Sequence, residues 1–314
     1  REVFSLSLGA KIAVSVMRGI KNTGLIKGPD ADLDAELRKA REYNRKHPYK
    51  EPTDRKAVYQ TIQVGKYPCL VINPVNRTHK AILFLHGGGD RDTWRPEVSF
   101  ARTYGKRTGM DVYYPLYPPF TEDSLGRTAE FIFSVYREMV KEYGADKVAV
   151  VGGSYGGFLA MQLLTWINRN NADEVKAHVE MPKLLIMNSP FGYPKTEEEW
   201  KRAEELELND AMITPGSFRA MLAITLKLAP DTPDWLLYPA DMDFRNAPET
   251  YVFYTEEACS VIADPLKNSY ARDGAGERMH MHVEPGMMHC YASAPVFKES
   301  RRDFGKQIAL LRQL

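Results

Sequence analysis

Cysteine is scarce in this chain. Cys69, Cys259 and Cys290 are spread through 314 residues without a C-x-x-C pair, so neither a disulfide framework nor a thiolate zinc site is expected. No sign of charge predominates either: 42 Lys and Arg stand against 41 Asp and Glu, a net charge of +1. A protein held to nucleic acid by its field carries an excess of cations, and that class is set aside. No run approaches the ~20 uncharged apolar residues that span a bilayer. The most apolar stretch near the start, Val3 to Ile20, is interrupted by Gly9, Lys11 and Arg18 and is expected to form an amphipathic helix. Neither an internal repeat nor a low-complexity tract is found. We expect a cytoplasmic protein, with secretion after removal of a signal peptide as the alternative, since the first residue is Arg1.

What remains is good material for a core. Hydrophobic residues make up 44% and aromatics 11%, which argues against disorder, and the length suits one large α/β domain or two smaller ones. Residues 1–55 are helical in pattern, with Asp30-Ala31-Asp32 as a helix start and Pro48 and Pro52 as stops. From Ala57 the texture becomes β-rich: Ala57 to Val64 and Tyr67 to Ile72 flank Gly65-Lys66 and predict a hairpin. Short unbroken apolar runs follow at Ala81 to Leu85, Asp111 to Tyr114, Val148 to Val151 and Leu184 to Met187, as expected of strands buried on both faces. Stretches of helical spacing, such as Thr128 to Tyr143 and Tyr155 to Asn168, separate them. The alternation predicts a mostly parallel sheet with helices on both faces. From Phe191 to Pro248 the rhythm breaks into charged helices, prolines and aromatics. We read this as an insertion on top of the sheet, inside a core of residues 56–190 and 249–314. Strand and helix resume with Tyr251 to Tyr254, Met279 to Glu284 and a last helix from about Pro295.

Three motifs carry chemistry. Gly152-Gly153-Ser154-Tyr155-Gly156 follows the strand ending at Val151 and precedes a helical stretch. This is the setting of a nucleophile elbow, where a serine sits on a strained strand-to-helix turn. His86-Gly87-Gly88-Gly89 follows the strand ending at Leu85, and successive glycines let backbone N–H groups face a developing oxyanion. Glu284-Pro285-Gly286-Met287-Met288-His289 lies between the last strand and the last helix, where a general base could reach the serine. His47 and His79 fall in polar connections, His178 in a charged helical stretch, and His86 in the glycine loop. His280 and His282 alternate with Glu284 on one strand face, which we read as a polar face and not a metal site. The acid that orients the base should lie between Ser and His in chain order. Glu257, just past the strand ending at Tyr254, is preferred; Asp264, in the following helix, and Glu256 are the alternatives. Asp241 and Asp243 lie at the wrong end of that strand.

On these motifs, residues from about Ala57 onward resemble the α/β-hydrolase fold, and within it the hormone-sensitive-lipase-like esterases. Tyr114-Pro115-Leu116 is similar to a tyrosine-containing segment of that family. The resemblance implies Ser154 as nucleophile, His289 as base, and an oxyanion hole of the N–H groups of Gly88, Gly89 and Tyr155. It also implies a cap built from residues 1–55 and about 191–248, a small-molecule ester as partner, and no metal or organic cofactor. Two departures stand out: Asp90-Arg91-Asp92 replaces the aromatic residue that usually follows the glycines, and Thr255-Glu256-Glu257 stands where an Asp is common. The reading is a serine carboxylic-ester hydrolase. A prolyl-oligopeptidase-like peptidase and a non-catalytic receptor on the same fold are the competitors. Phe191, Tyr193, Trp200, Phe218, Trp235 and Tyr238 are expected mostly to fill the insertion's own small core, and Cys290 to be a packed thiol.

Overall fold

The computed structural model describes residues 6–21, 32–53, 57–73, 77–89, 95–257 and 261–314. Val3, Asp30, Ala31, Asp90, Arg91, Asp92 and Cys259 lie outside them. Two helices open the chain, α1 (Leu8–Ile20) and α2 (Leu33–Lys46). Asp32 caps α2, its side chain accepting the N–H groups of Asp34 and Ala35, and the helix stops ahead of Pro48, whose ring disfavours a helical residue before it. In α1 it is Ala10 and Val14 that are buried, while Leu8, Ile12, Val16 and Ile20 face outward. A side chain on Gly9 would touch Phe297, and Leu6 lies against Gly286.

The hairpin β1 (Val58–Val64) and β2 (Tyr67–Asn73) turns at Gly65, whose φ of +58° suits glycine. Then come β3 (Ala81–Leu85), α3 (Arg95–Thr108), β4 (Asp111–Pro115), α4 (Leu125–Tyr143), β5 (Val148–Gly153), α5 (Tyr155–Asn171) and β6 (Leu184–Asn188). After β6 the chain forms α6 (Glu197–Leu206), α7 (Pro215–Leu228) and the short α8 (Asp234–Leu237). It returns as β7 (Glu249–Tyr254), α9 (Ala263–Arg272), β8 (Met279–Val283) and α10 (Lys298–Arg312). The strands form one sheet in the order β1-β2-β4-β3-β5-β6-β7-β8. β1, β2 and β4 pair antiparallel, and every pair from β4–β3 to β7–β8 is parallel.

Strand residues alternate between two hydrophobic layers. Leu83, Leu85, Val148 and Val150 join the core beneath α4 and α5; Ile82, Phe84, Ala149 and Val151 join the one beneath α3 and α10. The aromatics of the insertion do not form a core of their own. Phe191 and Tyr193 meet Phe158 of α5 edge-on at 5.2 and 5.6 Å, and Phe218 meets Phe191 at 4.8 Å, so the insertion is welded to the helix that follows Ser154. His178 also departs from expectation: it lies in coil between α5 and β6. There the Asn170 and Asn171 side chains bond the backbone of Ala177 and Val179 and compete with helix continuation. Among the described residues no helix is long and apolar enough to cross a membrane.

Candidate active site

Ser154 sits where β5 gives way to α5, with φ 51° and ψ −118°. A non-glycine residue in this region is strained and must be held by its surroundings. The holding is visible on both sides. The Ser154 N–H donates to the Asn188 carbonyl at 2.9 Å, and the Ser154 carbonyl accepts from Gly157, Phe158 and Phe191. The tight turn depends on missing side chains: a Cβ on Gly156 would lie 2.0 Å from the Leu85 carbonyl oxygen. Gly156→Ala is therefore expected to destabilise the fold by about 3 kcal/mol through overpacking against backbone, seen as a lower urea midpoint. Gly305→Ala in α10, where a Cβ meets nothing within 4 Å, should instead stabilise by about 0.5–1 kcal/mol.

Beside the elbow runs the glycine loop. His86 is buried, stacked on Tyr117 at 4.1 Å and on Tyr114 at 5.3 Å, and burial holds its imidazole down at about 4. It is a neutral structural group at the root of the loop. Gly88 is exposed and has φ +65°. Gly89 lies flat against the Tyr155 ring, where a Cβ would be 2.4 Å from the nearest ring carbon. Tyr155 is the first residue of α5, so its N–H belongs to the first turn, which has no acceptor within its own helix.

His289 and Glu257 are both buried, and His289 Nδ1 lies 3.2 Å from Glu257 Oε1. Burial pushes the Glu257 carboxyl up, while the charge and hydrogen bond of His289 pull it back. The alternatives are not brought there: Glu256 and Asp264 are exposed. Cys290, next to His289, lies within van der Waals reach of a Cβ on Gly153, next to Ser154, so the two halves of the site meet. Its thiol donates to the Asn188 carbonyl at 3.3 Å. The structure pairs the polar residues of β8 and the residue after it with protein groups, and both histidines also stack on Tyr251. His280 contacts Glu249 at 2.7 Å, His282 stacks on Phe253 at 4.7 Å, and Glu284 pairs with Arg302. Among the described residues no three His, Cys, Asp or Glu side chains gather as metal ligands.

Several supporting residues are not singled out by the sequence reading. The Asn188 carbonyl receives both the Ser154 N–H and the Cys290 thiol. Its side chain exchanges hydrogen bonds with Gln307 of α10, which also holds the Ala292 carbonyl at 3.0 Å. Ser189 accepts the Cys290 N–H at 3.0 Å. A buried Asn and Gln at the end of a strand and inside a helix were the available signal, and it needs the fold to be read. A serine on a strained turn thus lies beside the glycine loop and next to the segment that carries a carboxyl-supported imidazole, an arrangement suited to acyl transfer.

Comparison with known proteins agrees with this fold. Over 145 residues the chain is 27% identical to a kynurenine formamidase of Meyerozyma guilliermondii, covering 45% of this chain and 52% of that protein. Over 166 residues it is 25% identical to a triacylglycerol lipase of Mycobacterium tuberculosis, covering 50% of this chain and 36% of that one. The matches thus span about half or less of these curated relatives. The crystal structure of an esterase from the bacterial hormone-sensitive lipase family superposes with a TM-score of 0.76 at 18% identity, over 99% of both chains. The family profile for the alpha/beta hydrolase fold matches residues 82–293, from β3 through the His289 loop, and the chain belongs to that family.

Proposed function

We propose that the protein is a serine carboxylic-ester hydrolase that works through an acyl-enzyme on short- to medium-chain esters. The observation that carries this reading is the buried Glu257–His289 pair at 3.2 Å beside the elbow serine. In this reading Ser154 attacks the ester carbonyl, and His289 takes its proton through Nε2 and later returns it to the leaving alcohol. Glu257 holds the imidazole by Nδ1 and stabilises the imidazolium. The N–H groups of Gly88, Gly89 and Tyr155 receive the oxyanion, each donor contributing about 3 kcal/mol to the transition state. Residues 1–55 and 191–248 act together as the cap. In favour of this, Lys21 bonds the carbonyls of Glu207 and Asp210, and Lys227 pairs with Asp34.

The inserted part of the cap is modest, 58 residues from Phe191 to Pro248, and among the described residues it carries no long apolar lid. Remote binding energy is what raises kcat on hard substrates, so simple esters are expected to be preferred. A series of p-nitrophenyl esters from acetate to palmitate should peak at short or medium chains. kcat/KM for the butyrate should exceed that for a proline-containing peptide anilide by about a hundredfold or more. Comparable efficiency on the anilide would replace this reading with the peptidase. Cleavage of no substrate by folded protein would favour the receptor. The likeness to a kynurenine formamidase favours one second reading, hydrolysis of a formamide, and N-formylkynurenine belongs in the same assay.

A further inference from the structure

A carboxyl that plays no part in the mechanism above reaches under the glycine loop. Glu97 lies in the first turn of α3, and its side chain turns inward, where Oε2 accepts the Gly87 N–H at 2.8 Å. A Cβ on Gly87 would stand 2.9 Å from Glu97 Oε1 and 3.4 Å from both the Ser154 Cβ and the Gly153 carbonyl oxygen. Gly87 is thus wedged between this carboxyl and the elbow. Tyr114 of β4, Tyr117 beyond it and His289 all feel the Glu97 charge. Burial pushes the carboxyl up to about 7, against the pull of the Gly87 N–H and of His289. Keeping an acid here costs desolvation energy, which the Gly87 hydrogen bond and the positive end of α3 offset in part.

We propose that Glu97 is a positioning residue that stakes the glycine loop through Gly87, so that the N–H groups of Gly88 and Gly89 stay aimed at the oxyanion. The inference rests on the ester-hydrolase reading. The loop is freest at Gly88, where φ is +65° and a Cβ would meet nothing within 4 Å. It is held on either side of that point. Upstream, Gly87 bonds Glu97; downstream, the Gly89 carbonyl accepts the Phe120 N–H at 2.8 Å and the Gly89 backbone rests on Tyr155. Oxyanion donors act by being oriented before the charge appears. Releasing one stake lets the loop rotate, which weakens the transition state more than the bound ester.

The test compares the wild type, Glu97→Leu and Glu97→Gln on p-nitrophenyl butyrate, with inhibition by a butyl trifluoromethyl ketone as mimic of the tetrahedral oxyanion. Leucine removes the acceptor at similar size; glutamine keeps a carbonyl for Gly87 and cannot ionise. Glu97→Leu is expected to lower kcat by about tenfold to a hundredfold, to leave KM within about threefold, and to weaken the ketone by the same factor as kcat. Glu97→Gln should stay within about threefold of the wild type in all three. A merely structural role would not move ketone affinity and kcat together. If Glu97→Leu does not fold, Glu97→Asp, which withdraws the acceptor by one methylene, replaces it with the same expected signs. Wild-type kcat in the leucine variant, or a glutamine variant as impaired as leucine, overturns the inference alone. Wild-type protein with no Ser154-dependent hydrolysis overturns both it and the reading beneath it.

Discussion

Ser154→Ala is expected to lower kcat/KM on p-nitrophenyl butyrate by about four to six orders of magnitude while far-UV circular dichroism stays unchanged. Without the hydroxyl no acyl-enzyme forms, and only binding and the oxyanion donors remain, worth about a thousandfold or more over water. The backbone that shapes the elbow does not use the serine hydroxyl. Its bonds run from the Ser154 N–H to Asn188 and from its carbonyl to Gly157, Phe158 and Phe191. Alanine takes up the same strained φ at comparable cost, so a loss of activity with a loss of fold is not the expected pattern. Retention of more than about a hundredth of the wild-type rate would remove Ser154 from the mechanism.

Glu257→Gln is expected to cut kcat by about four orders of magnitude, whereas Glu256→Gln and Asp264→Asn leave it within about twofold, as exposed surface changes. Glu257 is the carboxyl buried against His289 Nδ1; the other two face solvent. An amide in its place can present an N–H to the imidazole and favour the tautomer that cannot accept the serine proton. It also leaves the developing imidazolium without a counter-charge. The wild type should lose activity as pH falls, because burial raises the Glu257 carboxyl and only its ionised form supports the imidazolium. Matched kinetics of the three variants decide the assignment. A crippled Asp264→Asn would move the acid to α9 and leave the serine and histidine where they are.

The sheet was legible because its strands are short apolar runs and its helices repeat at 3.6 residues; Ala81 to Leu85 and Val148 to Val151 stand in the structure as β3 and the start of β5. The elbow was legible for a related reason, since a glycine-flanked serine between strand and helix is a local pattern. Glu257 was harder, because an acidic residue after a strand has no local signature beyond its place. Only the fold separates the buried Glu257 from its exposed neighbour Glu256. Asn188 and Gln307 act on each other across 119 positions, a pairing that only the fold reveals; Glu97 is just ten residues from Gly87, but an acid in the first turn of a helix has no local mark that turns it inward. Which side of α1 faces inward is a further point that pattern alone leaves open. Amphipathicity says that a helix has two faces, and the structure shows Ala10 and Val14 on the one that goes in.

The Asn188–Gln307 exchange has a consequence for biosynthesis. The chain grows from its N-terminus, so Ser154, Glu257 and His289 have all been translated before Gln307 is added. Until then the Asn188 side chain has no Gln307 to bond, and the Ala292 carbonyl just past His289 waits for the same amide. A nascent chain that already carries the three proposed triad residues therefore has one wall of the site unbraced, and hydrolytic competence should appear only with α10. Ribosome-released fragments ending just before α10 would carry every reacting group and still be poor enzymes. On the ester-hydrolase reading, hydrolysis is thereby expected to wait until α10 has been added.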